Sequence, residues 1–150
     1  RALFSLPATC VILNALPAVR LNADFSHWCC VHESLLHDQE ESLQLAIRST
    51  AYVHARVGHI EGPQVSDPRA PEWAAEVERH CSWWEQIAAE RARQGAQVLA
   101  LCPEFGPAPY MPALPFTRQP VSDVREVILH QMLQRRKRLE RYGTIASQGE

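Results

Sequence analysis

Gln97-Val98-Leu99-Ala100-Leu101-Cys102-Pro103-Glu104-Phe105-Gly106-Pro107 is the stretch on which the fold turns. Its first six residues form a short apolar run, and Pro103 ends it because proline cannot donate to a central ladder. Upstream, Pro71 opens a long pattern in which Trp73, Val77, Cys81, Trp84 and Ala88 recur at helical spacing, and Gly95 stands where a helix C-cap is expected. Downstream, a proline-rich loop from Pro103 to Pro120 leads to an amphipathic segment, Val121 to Tyr142, that stops at Gly143. Helix, strand, polar loop, helix is the signature of a βα unit.

The same order repeats toward the N-terminus. Ala51 to Val57 is rich in β-formers, and the loop from Gly58 to Ala70 carries Gly62, Pro63 and Pro68. Leu36 to Arg48 reads as the preceding helix, with Asp38, Glu40 and Glu41 near its start, where the macrodipole favours acid. Ala18 to Ala23 alternates as a strand and runs out into the polar group Asp24-Phe25-Ser26-His27. Before it, Ser5 caps a first helix with Pro7 in its opening turn, Val11, Ile12 and Leu16 on its apolar side, and Pro17 as its stop. One helix followed by three βα units implies an α/β chain with parallel strands, outer helices and right-handed crossovers. Function in such folds gathers at the C-terminal ends of the strands.

Composition narrows the classes. The 150 residues suffice for a hydrophobic core but fall short of the roughly 250 of a complete (β/α)8 barrel. The expectation is therefore one partial barrel domain over residues 1–150, lacking its N-terminal strands; the start at Arg1, inside an apolar segment, agrees with a fragment or processed piece. A net charge of -2, with both signs interspersed, gives no general attraction to nucleic acid, and no apolar run reaches the roughly 20 residues of a membrane span. Cys10, Cys29, Cys30, Cys81 and Cys102 make an odd number without a CxxC pair, which points to a reducing cytoplasm, with Cys81 and Cys102 as core thiols. The run Arg135-Arg136-Lys137-Arg138 closes the last helix and reads as a solvated face.

Chemistry is concentrated where strands end: Asp24 after the first, His54 within the second, Glu104 just after the third. Two carboxylates and an imidazole from neighbouring strands would converge on one point, and such a donor set suits a divalent Mn, Mg, Co or Zn ion.

These residues resemble a family. Asp24-Phe25-Ser26-His27-Trp28, His54-Ala55-Arg56-Val57-Gly58-His59, Gly62-Pro63-Gln64-Val65 with Asp67-Pro68-Arg69-Ala70-Pro71-Glu72-Trp73, and Glu104-Phe105-Gly106-Pro107 are together similar to the xylose isomerase-like sugar phosphate isomerase/epimerase barrels, over Leu16 to about Tyr142. The resemblance implies the C-terminal portion of a TIM barrel, with Asp24, His54 and Glu104 as metal ligands on its sixth, seventh and eighth strands. It further implies His27 as a contact to a substrate oxygen and Arg56 as the holder of the substrate's polar end; a fourth ligand, a fifth-strand glutamate, lies outside this sequence. The implied reaction is proton transfer beside a metal-chelated carbonyl of a sugar or sugar phosphate, with Glu104 doubling as acid/base.

His59 is a further candidate for a substrate-side role, against an exposed loop residue; His32 reads as solvated. Trp28 would stack on a sugar face or else pack beneath the following helix, and Trp83 and Trp84 belong to the long helix, Trp84 facing inward. The rival in the same superfamily is an apurinic endonuclease-like zinc phosphodiesterase, which needs further histidine and aspartate ligands; Arg69 stands where one such histidine would be. A third possibility is a non-catalytic unit that packs on a partner or self-associates as a homo-oligomer, because three strands leave open edges.

Overall fold

The computed structural model describes residues 3–147. Among the described residues nine regular elements follow one another: α1 (Leu6–Ala15), β1 (Leu21–Ala23), α2 (Phe25–His32), α3 (Glu40–Ser49), β2 (Thr50–His54), α4 (Ala74–Arg93), β3 (Val98–Cys102), α5 (Val124–Leu139) and β4 (Thr144–Ser147). Single 3-10 turns, Pro71–Trp73 and Glu140–Tyr142, lead into α4 and out of α5. The chain is thus α/β, as expected.

All strand pairings are parallel, in the sequential order β1-β2-β3-β4. The register sets Val53 beside Leu101 and His54 beside Cys102, so β2 and β3 end level with each other. The order never reverses along the sheet, unlike the doubly wound folds, whose strands grow outward from a switch point.

Local chemistry explains the boundaries. Ser5 caps α1, its hydroxyl accepting from the Ala8 amide at 3.3 Å, and Asp123 caps α5 by accepting from Arg125 and Glu126 at 2.8 and 3.2 Å. The cap moves the start of α5 from the expected Val121 to Val124. Gly95 follows α4 with φ +82, the left-handed backbone that a helix C-terminus uses.

β1, β2 and β3 each turn one set of side chains toward the helices. Leu21, Ala23, Val53, Leu99 and Leu101 are buried there with Trp83, Trp84, Ile87 and Ala88 of α4, Phe25 of α2, and Leu43 and Ile47 of α3. Burying each large apolar side chain contributes roughly 2 to 3 kcal/mol. Asn22, Tyr52, His54, Ala100 and Cys102, the alternate residues, are half-buried or exposed.

Several expectations are corrected. In α1 the buried residues are Leu6, Thr9 and Leu13, while Val11 and Leu16 face outward. Thr9 can lie inside because its hydroxyl donates to the Ser5 carbonyl at 2.8 Å, and this turns the helix away from the face that hydrophobicity alone selects. Trp83 is as buried as Trp84, since α4 packs against neighbours on two sides. His32 is not solvated: its Nε2 accepts the Leu6 amide at 3.2 Å at the start of α1. The basic end of α5 is no purely solvated face either. Arg135 is buried over the Trp84 ring, 5.1 Å from guanidinium carbon to centroid, and Arg138 pairs with Glu78 and Glu85 of α4. Cys81 is a core thiol as expected, whereas Cys102 is only half-buried because it faces the open side of the sheet. The fourth strand went unanticipated.

Candidate metal centre

The segment after β1 is a helix rather than the expected loop, and this places the first candidate ligand. Asp24 is the N-cap of α2: its Oδ1 accepts the Ser26 amide at 3.1 Å and the Ser26 hydroxyl as well. An aspartate at this position satisfies orphan amides and meets the positive end of the helix. The same capping geometry aims Oδ2 away from the helix, where Nη2 of Arg56 donates to it at 2.7 Å. One turn on, His27 brings its Nε2 to 2.8 Å from the same Nη2.

His54 is the last residue of β2. Its Nδ1 lies 2.6 Å from Glu104 Oε2, and its Nε2 lies 3.0 Å from the side-chain amide of Asn22 on β1. Both ring nitrogens are therefore engaged across strands. Partial burial pushes the imidazole's pKa down and the nearby Arg56 guanidinium adds to that, against the opposing pull of Asp24. The neutral ring, which is the metal-ligating form, is favoured near neutral pH.

Glu104 follows β3 and Pro103 with φ +53, a left-handed backbone that glutamate rarely adopts. Such conformations cost of order 1 kcal/mol or more and gather at functional sites. Here the turn directs the carboxylate back over the strand ends, toward His54 and to 3.9 Å from Arg56 Nη2.

Asp24, His54 and Glu104 each offer a ligand atom, and these atoms lie within 4.8 Å of one another. Among the described residues no other three His, Cys, Asp or Glu side chains meet this condition. The residues fit a divalent ion by donor type, by spacing, and by the partners that orient them: Asn22 on the histidine, Ser26 and Arg56 on the aspartate. Neutral His54 carries one ring proton, so an ion held at one ring nitrogen would leave that proton on the other, facing Asn22 or Glu104.

Two loops frame this cluster. The peptide of Ala55 continues the ladder past β2 by donating to the Cys102 carbonyl at 2.6 Å, which carries Arg56 alongside the end of β3. Gly58 then passes so close to α2 that an added Cβ would stand 2.7 Å from Ser26 Cβ. Its amide donates to Nε2 of the buried His80 at 3.3 Å, while Nδ1 of His80 donates to the Glu76 carbonyl at 2.8 Å. Gln64 binds Gly106 twice, side-chain nitrogen to carbonyl at 3.0 Å and peptide nitrogen to side-chain oxygen at 2.8 Å. The second loop also lays the Tyr110 ring over Arg56, 4.7 Å from guanidinium carbon to centroid.

His27 and Arg56, expected as substrate contacts, do lie in the cluster; Trp28 and His59 are engaged elsewhere. Trp28 is buried, stacked on Phe25 at 5.0 Å between centroids, with its indole N–H 3.4 Å from the Leu3 carbonyl. One residue along α2 from His27 is about 100° around the helix, enough to turn this ring inward. His59 bridges to Gly62 and lies with its ring 5.0 Å from that of Trp73. Asp67, which a site with further metals would need, is bound by Arg69 at 2.7 Å, and Arg69 also reaches Glu126 at 3.3 Å.

The roles of Asn22, Ser26, Gln64, His80 and Tyr110 were not anticipated from the sequence. Asn22 had one local sign, a polar residue between the inward Leu21 and Ala23. Ser26 lies two residues after Asp24 and binds it as part of the helix cap, whereas Gln64, His80 and Tyr110 act across 22 to 54 residues of sequence, which no local pattern marks.

No protein-family model, curated protein or solved structure matches this chain. No helix among the described residues is long and apolar enough to cross a membrane.

Proposed function

We propose that this chain carries the metal-binding part of a xylose isomerase-like (β/α)8 barrel and serves a sugar or sugar phosphate isomerase/epimerase. The observation that carries the reading is the convergence of Asp24, His54 and Glu104 from the ends of three adjacent parallel strands. The sequential strand order supports it, because that is how a singly wound barrel grows.

In this reading Asp24, His54 and Glu104 hold one divalent cation of the Mn, Mg, Co or Zn group. Bound there, the ion supplies a Lewis acid that polarises a carbonyl and makes the hydrogen on the neighbouring carbon acidic. Glu104 is the group to move that proton: its carboxylate is partly exposed at the strand end and already shares a proton with His54. Asp24 is tied at both oxygens and contributes charge and position, not proton transfer. The pairing of Asp67 with Arg69 favours a one-metal site over the several zinc ions of an endonuclease-like phosphodiesterase.

Two measurements test this. Dialysis against Mn followed by elemental analysis should find about one ion per chain, and incubation with a panel of ketoses and ketose phosphates in heavy water should place deuterium beside the carbonyl, with chelation stopping it. Two or three tightly held zinc ions would move the assignment to the phosphodiesterase. No bound ion and no exchange would leave a packing unit whose open sheet calls for a partner.

A further inference from the structure

We propose that Arg56 is a positioning residue, which fixes the Asp24 carboxylate and holds His27 in the tautomer whose proton sits on Nδ1. With its Nε2 lone pair engaged by Arg56, His27 is neither a base nor a metal ligand through that nitrogen. The assignment stands apart from the function proposed above.

Donor counting supplies the reasoning. A guanidinium has five N–H groups and no acceptor. The two hydrogens of Arg56 Nη2 meet two atoms, Asp24 Oδ2 at 2.7 Å and His27 Nε2 at 2.8 Å. At that separation Nε2 must present a lone pair, since a proton there would oppose another N–H. The competing arrangement, an Nε2 proton given to Asp24, has only a 3.5 Å contact to use, too long for a hydrogen bond. With Nε2 as acceptor, the proton of the neutral ring is on Nδ1.

Arg56 is also poorly placed to grip a ligand. Its side chain is 2% exposed, its Nε donates to Ser26 Oγ at 3.3 Å, and Tyr110 covers a face of the guanidinium. Each of these polar partners belongs to the segment Asp24 to His27. The His27 side chain, by contrast, is 30% exposed, and it is the more reachable of the two.

The test is side-chain nitrogen NMR of the metal-free wild-type chain, at a pH where free imidazole is neutral, with His27→Gln to assign the signals. The expected pattern is a pyrrole-type Nδ1 and an acceptor Nε2. An Nε2-protonated ring, an imidazolium, or an even mixture of tautomers would overturn the proposal. Arg56→Lys, which keeps a positive charge beside Asp24 but loses the fork, should let His27 relax to a mixture of tautomers; Arg56→Ala should relax His27 as well and weaken Mn roughly 10- to 100-fold, the usual loss when an orienting partner of a ligand is removed. An unchanged His27 pattern in Arg56→Lys would sink the idea, and should Arg56→Ala fail to fold, the wild-type and lysine spectra still decide. Wild-type protein that binds no Mn yet shows the Nδ1 tautomer would defeat the metal reading and leave this one standing.

Discussion

The two halves of the candidate site are built differently. On one side Asp24, Ser26, His27 and Arg56 interlock, with the aspartate held through both oxygens and the arginine beneath the Tyr110 ring. On the other, His54 and Glu104 share one direct contact, and the two side chains are 26% and 35% exposed. The first half is supported from behind by Gly58 and His80; the second ends in a strained backbone at the lip of a loop. Both kinds of construction suit the proposed role, in which the site holds position while an ion and a proton exchange.

The largest effect should come from the open half. Glu104→Gln removes a charged ligand, so Mn affinity should fall by at least about 100-fold, beyond what losing an orienting partner costs. Metal-free stability should move little, because the side chain is partly exposed and the glutamine keeps an oxygen that can accept from His54. Isothermal titration and a thermal melt together check this; a large drop in the metal-free melting temperature would show that Glu104 serves structure instead.

The tied half should be sensitive to acid. Burial pushes His80 from 6.5 down to about 4, and the neutral ring is required both to accept from Gly58 and to donate to Glu76. As pH falls below 6.5 the unfolded chain takes up a proton that the folded chain refuses until about 4. The contribution is thus whole above 6.5 and lost on the way down to 4, roughly 3 kcal/mol in total. Urea unfolding near neutral pH and near pH 4 should show wild type losing more stability than His80→Gln. Parallel losses would remove His80 from the account.

A smaller effect is expected at Gly58. Alanine there would force its Cβ against Ser26, at a cost of about 1 to 3 kcal/mol, and would disturb the hydroxyl that binds Asp24. Denaturant titration gives the first number and Mn titration the second. Full stability with normal metal binding would mean that the close approach between loop and helix relaxes freely.

Much of this architecture was readable beforehand, and the reasons are local. Periodicity located α4 and α5, apolar runs located β2 and β3, and proline and glycine marked the loops between them. The three candidate ligands emerged because strand ends are where parallel sheets expose chemistry. What stayed hidden depends on contacts between distant residues. The eight-residue α2 has no clean apolar stripe, and only the capping by Asp24 betrays it. Likewise Trp28 offered a ring suited to stacking on a sugar, while its actual neighbours, Phe25 and the Leu3 carbonyl, are set by the turn of that short helix. Tyr110 reaches Arg56 across 54 positions, through a proline-rich loop whose path no periodicity encodes.

The paired hydrogen bonds between the Gln64 carboxamide and the Gly106 backbone have a mechanical consequence. One partner sits on the loop after β2, the other on the loop after β3, and the pair behaves as a clasp. Neither loop can swing outward alone without leaving a nearly buried carboxamide unsatisfied. Any outward displacement of one loop is therefore tied to the other, and to the Tyr110 ring that the second loop lays over Arg56.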